Sequence, residues 1–215
     1  MLLHSIQPEP VYDLLCAGKS YRALPFEADY IGRERFAYDW LVEQMDGRCS
    51  PRPKGVTYPV WAWHTWWGPQ KRKPDLRFAS MREWAAGRPQ VLLTLEVPDS
   101  EVLLSCFDAW HFPLNYSYLG REPDQDAFDV KCAARGLSSI RHHPLPDADL
   151  HRELTQSWDA IFNPALMPAM LEFRPDHSCI QATFWELRPE HVKEARWFAA
   201  KGATRRLGLP YPNRA

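Results

Sequence analysis

The chain has 215 residues, 45% of them apolar and 25% charged, with a formal net charge of −1. That length suits one domain with a real core, and the near-zero charge excludes the broad basic footprint of a nucleic-acid binder or of a protein held on acidic lipid by charge. Ten tryptophans and twenty prolines point to an aromatic core or an aromatic-lined pocket, broken into many short segments.

LLHSIQ (2–7) reads as a short strand and EPVYDLLCAG (9–18) as a helix, with Pro10 suited to a first turn and Gly18 to a helix end. Val11, Leu14 and Leu15 have the spacing of a buried helix face. RERFAYDWLVEQMDG (33–47) is the best helical pattern, with Phe36, Trp40 and Leu41 on one side and Gly47 as its stop. VTYPVWAWHTWW (56–67) alternates with both faces largely apolar, so it predicts a strand buried on two sides, Pro59 marking an edge or a bulge.

QVLLTLEVP (90–98) is a nearly continuous apolar strand, and DSEVLLSCFDAWHFPLN (99–115) opens as a helical turn before a mixed segment. DLHRELTQSWDAIFN (149–163) is helical, FRPDHSCIQATFWEL (173–187) holds the last strong strand, and RPEHVKEARWF (188–198) reads as a short helix and a further strand. The polar, proline-rich region 116–148 is expected as a loop-rich insertion in a single domain spanning 1–215. Short strands between helices of uneven length predict an α+β fold, a small mixed or antiparallel sheet flanked by helices.

Several chemistries lack their motifs. No glycine-rich dinucleotide fingerprint, phosphate-binding P-loop or Gly-x-Ser-x-Gly elbow occurs. The five cysteines (16, 49, 106, 132, 179) are odd in number and widely spaced, against a disulfide framework or a zinc knuckle. His142, His143 and His151 cluster near Asp147 and Asp149 but sit on a proline-containing loop, so no metal site is expected. No leader pattern and no long apolar run is visible, and the expectation is a reduced, cytoplasmic protein that does not span a membrane.

Two segments invite a functional reading. Lys71, Arg72, Lys73 and Arg77 follow Trp66 and Trp67, a pairing suited to a phosphate or to a nucleotide whose base stacks on indole. In the last strong strand, alternation puts Gln181, Thr183 and Trp185 on one face, as a cleft wall, and Glu186 on the other unless a bulge intervenes.

LLHSIQPEPVYDLLCAGK, AYDWLVEQM, YPVWAWHTW, KPDLR, LTLEVPDSEVLLSCFDAWHFPLN and IQATFWEL together resemble a bacterial family catalogued as domain of unknown function 3841, over most of residues 1–198. LLHSIQPEPVYDLLCAGK and IQATFWELRPEHV are also similar to the opening and the last core strand of the diphtheria-toxin-like ADP-ribosyltransferases. That resemblance implies an NAD site in which His4, with Ser5 beside it, holds the nicotinamide-side ribose. An aromatic stacks on nicotinamide, for which Tyr58 or an aromatic of the Trp61–Trp67 run is the match, with Trp61 and Trp66 foremost. Gln181 then stands at the catalytic glutamate, with Glu186 as a substitute acid, Arg77 or Lys73 near the pyrophosphate and Trp185 on the cleft wall.

The first and the penultimate strands are expected side by side, so that His4 and Gln181 share a hollow. Gln181 is a departure from the family's pattern, since an amide hydrogen-bonds a hydroxyl but carries no charge. The expected function is therefore an NAD-binding glycosyltransferase or NAD glycohydrolase, or else a non-catalytic nucleotide- or protein-binding module with an aromatic cleft.

Overall fold

In a computed structural model, the structure describes residues 1–23, 34–68, 72–77, 89–172 and 178–198. Arg33 and Lys71, and residues 173–177 of the expected last-strand segment, lie outside these ranges. The strands are β1 (Leu2–Pro8), β2 (Val60–Thr65), β3 (Gln90–Glu96), β4 (Leu103–Cys106), β5 (Ile180–Phe184) and β6 (Val192–Phe198). They form one sheet in the order β4-β5-β2-β1-β3-β6, every neighbouring pair antiparallel. Among the described residues the helices are α1 (Glu9–Cys16), α2 (Glu34–Arg48), α3 (Phe107–Leu114), α4 (Glu122–Ala133), α5 (Ala148–Ser157) and the single turn α6 (Met167–Met170), with 3-10 turns at 99–101, 158–162 and 189–191. The fold is α+β, as composition and pattern imply.

Alternation explains the layering. Leu3, Ala62, Leu93 and Ala182 point to one face, where α1 covers them with Val11, Tyr12 and Leu15. Each of those three side chains contributes roughly 1.5–3 kcal/mol by leaving water. Gly18 ends the α1 segment at φ +75°, a left-handed conformation that glycine adopts without cost.

On the other face, Leu103 and Trp185 meet a larger core built on Trp40, Leu41, Trp110 and Trp158. Trp158 is fully buried, and its indole N–H donates to the Ser117 carbonyl at 2.8 Å. The segment 116–148, expected as a loop-rich insertion, carries α4 and gives Tyr116, Leu119, Phe128, Cys132 and Leu145 to this core.

Three local expectations are corrected. Gly47 lies inside α2, which runs on to Arg48. The irregularity in β2 falls between Trp63 and Thr65, beyond Pro59. Strands β1 and β5 are not side by side, because β2 lies between them.

Candidate functional site

Residues directly opposite one another in a sheet share a face. His4 on β1 pairs with Trp63 on β2, and Trp63 pairs with Gln181 on β5. Gln181 pairs in turn with Ser105 on β4. In the other direction His4 pairs with Thr94 on β3, and Thr94 with Glu194 on β6. One residue from each strand thus forms a single row: Ser105, Gln181, Trp63, His4, Thr94, Glu194. His4 and Gln181 are two strand spacings apart, about 10 Å between Cα atoms, with the Trp63 indole between them.

His4, Thr94 and Ser105 of the row are buried, where polar groups need partners, whereas Gln181 and Trp63 are half-buried and Glu194 is exposed. His4 is 5% exposed and Ser105 1%. Burial first, then the positive charges of Lys73 and Arg72, hold the His4 imidazole below its usual range, while Glu194 opposes them. The result is a neutral ring at pH 7. Its Nδ1 lies 3.4 Å from the Thr94 hydroxyl. The side-chain oxygens of Gln181 and Ser105 are buried and have no hydrogen-bond partner among the described residues. Trp63 is braced by the rings of Trp66 at 4.7 Å and Phe107 at 5.2 Å.

Next along β2 and β5 from Trp63 and Gln181, the residues His64, Thr65 and Ile180 line a cavity of about 580 Å³ with Arg72, Pro164, Ala165, Pro168 and Ser178; no residue of the row lines it, and the link between them is the Arg72 charge felt by His4. Between Trp63 and Thr65 the β2–β5 register shifts, leaving His64 as the extra residue of a bulge. The Arg72 guanidinium donates to His64 Nε2 at 2.8 Å, so Nδ1 carries the ring proton and donates to the Thr65 hydroxyl at 3.0 Å. Burial and then Arg72 lower the His64 pKa. A neutral histidine therefore holds a charged guanidinium at the cavity.

The other expected residues are distributed differently. Ser5 faces the opposite side of the sheet from His4, donating to the Trp61 carbonyl at 2.8 Å and accepting from Gln7. Tyr58 precedes β2 and donates to Asp39 at 3.2 Å, edge-on to Tyr38. Trp61 shares the row's face but packs on Trp110 and Tyr38, within the helix-covered core. Trp66 stands behind Trp63 as its support.

Trp185 is 4% exposed, its N–H bound to the Ser50 carbonyl at 3.1 Å, and Thr183 is 1% exposed. The Thr183–Trp185 part of the expected cleft wall is thus covered by the helical layer. Glu186 pairs with Arg22 at 3.0 Å, and β5 pairs with β2 without a register shift from Gln181 to Phe184, so no bulge in that stretch brings Glu186 round. Arg77 points into solvent and is held by Asp75 at 2.8 Å; Lys73 reaches Glu194 at 3.2 Å. The basic side chain at the cavity is Arg72.

Among the described residues no group of three or more His, Cys, Asp or Glu side chains has a metal-binding arrangement. His142 bonds to Ser138 and His151 to the Tyr116 hydroxyl. No helix among the described residues is long and apolar enough to cross a membrane.

Sequence reading offered the run Trp61–Trp67 without singling out Trp63, and missed Thr94, Ser105 and Glu194 as members of the row. Thr94 left one local signal, a lone hydroxyl inside an otherwise apolar strand. The others depend on pairings between distant segments.

No curated protein and no solved structure matches the chain. Residues 2–193 match the family described as domain of unknown function (DUF3841), so the chain belongs to that family.

Proposed function

We propose that the His4–Trp63–Gln181 row binds NAD and that the protein is an ADP-ribosyltransferase-like enzyme, cleaving the bond between nicotinamide and ribose for transfer or hydrolysis. One observation carries this reading. An imidazole on the first strand, an indole on the second and an amide on the fifth stand in consecutive register on one face.

The chemistry follows from those groups. The buried Gln181 oxygen accepts a ribose hydroxyl proton and gains the partner it lacks among the described residues. The Trp63 indole offers a π face to the cationic pyridinium ring. Arg72, at the adjoining cavity, suits the pyrophosphate.

A neutral amide at position 181 lacks the charge that stabilises a cationic sugar, which favours slow turnover and gives weight to a second reading, a module that binds nucleotide without consuming it. The test is incubation of purified protein with NAD, followed by quantification of nicotinamide. Release that is lost in Gln181→Ala and raised about 100-fold in Gln181→Glu supports the enzyme. Saturable NAD binding without nicotinamide supports the module, and absence of binding removes both.

A further inference from the structure

We propose that Glu194 and Thr94 are positioning residues that set His4 as a general base with its free nitrogen at Nε2. The geometry of the relay stands on its own, and only its substrate rests on the nucleotide reading above.

The Thr94 hydroxyl lies 3.4 Å from His4 Nδ1 and 3.4 Å from Glu194 Oε2. A hydroxyl has one proton to give, and a carboxylate only accepts. The Lys73 ammonium, 3.2 Å from the same Glu194 oxygen, holds that carboxyl below its usual range and therefore ionised. Thr94 consequently donates to Glu194 and accepts from His4, which fixes the ring proton on Nδ1. Nε2 then carries the lone pair, and among the described residues the one hydrogen bond of the His4 ring is the contact at Nδ1. The charges facing the imidazole are Lys73 and Arg72, which oppose its protonation, and Glu194, which favours it.

The relay answers the difficulty posed by Gln181. The carboxylate of the row is on β6, beyond His4, and acts on the base instead of on the sugar. In the reaction, the nucleophile's oxygen forms a bond to the ribose anomeric carbon. The bond from that carbon to the pyridinium nitrogen breaks, and its electron pair leaves with neutral nicotinamide. The nucleophile's proton passes to His4 Nε2. The imidazolium so formed is stabilised by Glu194 through Thr94 and returns its proton to water. A residue that holds a histidine's Nδ1–H and stabilises its charged form is a recognised way to build a base.

The decisive experiment is nitrogen-15 NMR of histidine-labelled protein without nucleotide, which reads the His4 tautomer directly. The wild type is expected to carry the proton on Nδ1 and Thr94→Ser to preserve it, whereas Thr94→Val shifts the proton towards Nε2. Glu194→Gln is expected to lower the His4 pKa, and so to move the acidic limb of any kcat profile to lower pH, with kcat reduced about 10- to 100-fold. A wild-type proton on Nε2, or a tautomer unchanged in Thr94→Val, overturns the relay. Nicotinamide release with the wrong tautomer rejects the relay alone; the right tautomer without nicotinamide release rejects the NAD-cleaving reading alone.

Discussion

Ser105 and Gln181 stand opposite each other on β4 and β5, and each keeps a buried side-chain oxygen without a hydrogen-bond partner among the described residues. Two desolvated oxygens in neighbouring positions oppose folding in the empty protein and favour a ligand that brings donors. Ser105→Ala is therefore expected to stabilise the free protein by about 1 kcal/mol, read from the urea midpoint at constant m. A loss of stability instead would mean that the hydroxyl has a partner.

Arg72 and Arg77 separate two kinds of basic residue in one loop. Arg72 lines the cavity beside the row, whereas Arg77 is spent on Asp75 at the surface. On the proposed NAD reading, Arg72→Gln is expected to weaken binding by about 10- to 100-fold, the range of a charge-assisted hydrogen bond. Arg77→Gln should leave affinity unchanged. Titration calorimetry of both variants checks the assignment, and equal effects would refute it.

Acid should destabilise the fold through its histidines. Burial is the leading cause that lowers the pKa of His4, His64, His151 and His191 below the ordinary 6.5. Below that value the unfolded chain binds more protons than the native one, so unfolding becomes easier as pH falls. This stabilising contribution is complete above about 6.5 and is lost progressively below it. Urea midpoints measured between about pH 8 and pH 5 should decline, and the decline should be shallower in His151→Phe. A flat profile would contradict the buried neutral rings.

Among the described residues Trp158 is the largest fully buried side chain, set against Trp40 and Tyr116. Trp158→Ala removes the ring and its hydrogen bond to Ser117, with an expected cost of about 3–5 kcal/mol. A denaturation midpoint shifted by much less would show that the core collapses into the space.

Local patterns carried the secondary structure well. The continuous apolar run of residues 90–98 became β3, and Val11 and Leu15 of the expected face placed α1 on the sheet, while Leu14 is only half-buried and Tyr12 takes the third buried place. Parity within β5 placed Glu186 opposite Gln181, since each alternate residue turns over. The site was legible only in part, because a row across six strands is a sum of five registers and each is set by residues far apart in the chain. Trp63 looks no different from Trp61 until β5 is laid beside β2. Thr183 and Trp185 have the alternation of a cleft wall, yet the helices that cover them come from other segments. Gly47 carries the composition of a helix stop, but α2 continues for one residue past it.

Among the described residues the sheet divides the hydrophobic interior into two compartments that share no buried residue, one under α1 and one under the aromatic helices. Damage in one is poorly transmitted to the other, so the free-energy costs of Leu15→Ala and Trp158→Ala should simply add in the double variant. A protein built this way tolerates drift beneath α1 while the opposite side keeps its shape, and two populations of substitutions can accumulate with little influence on each other.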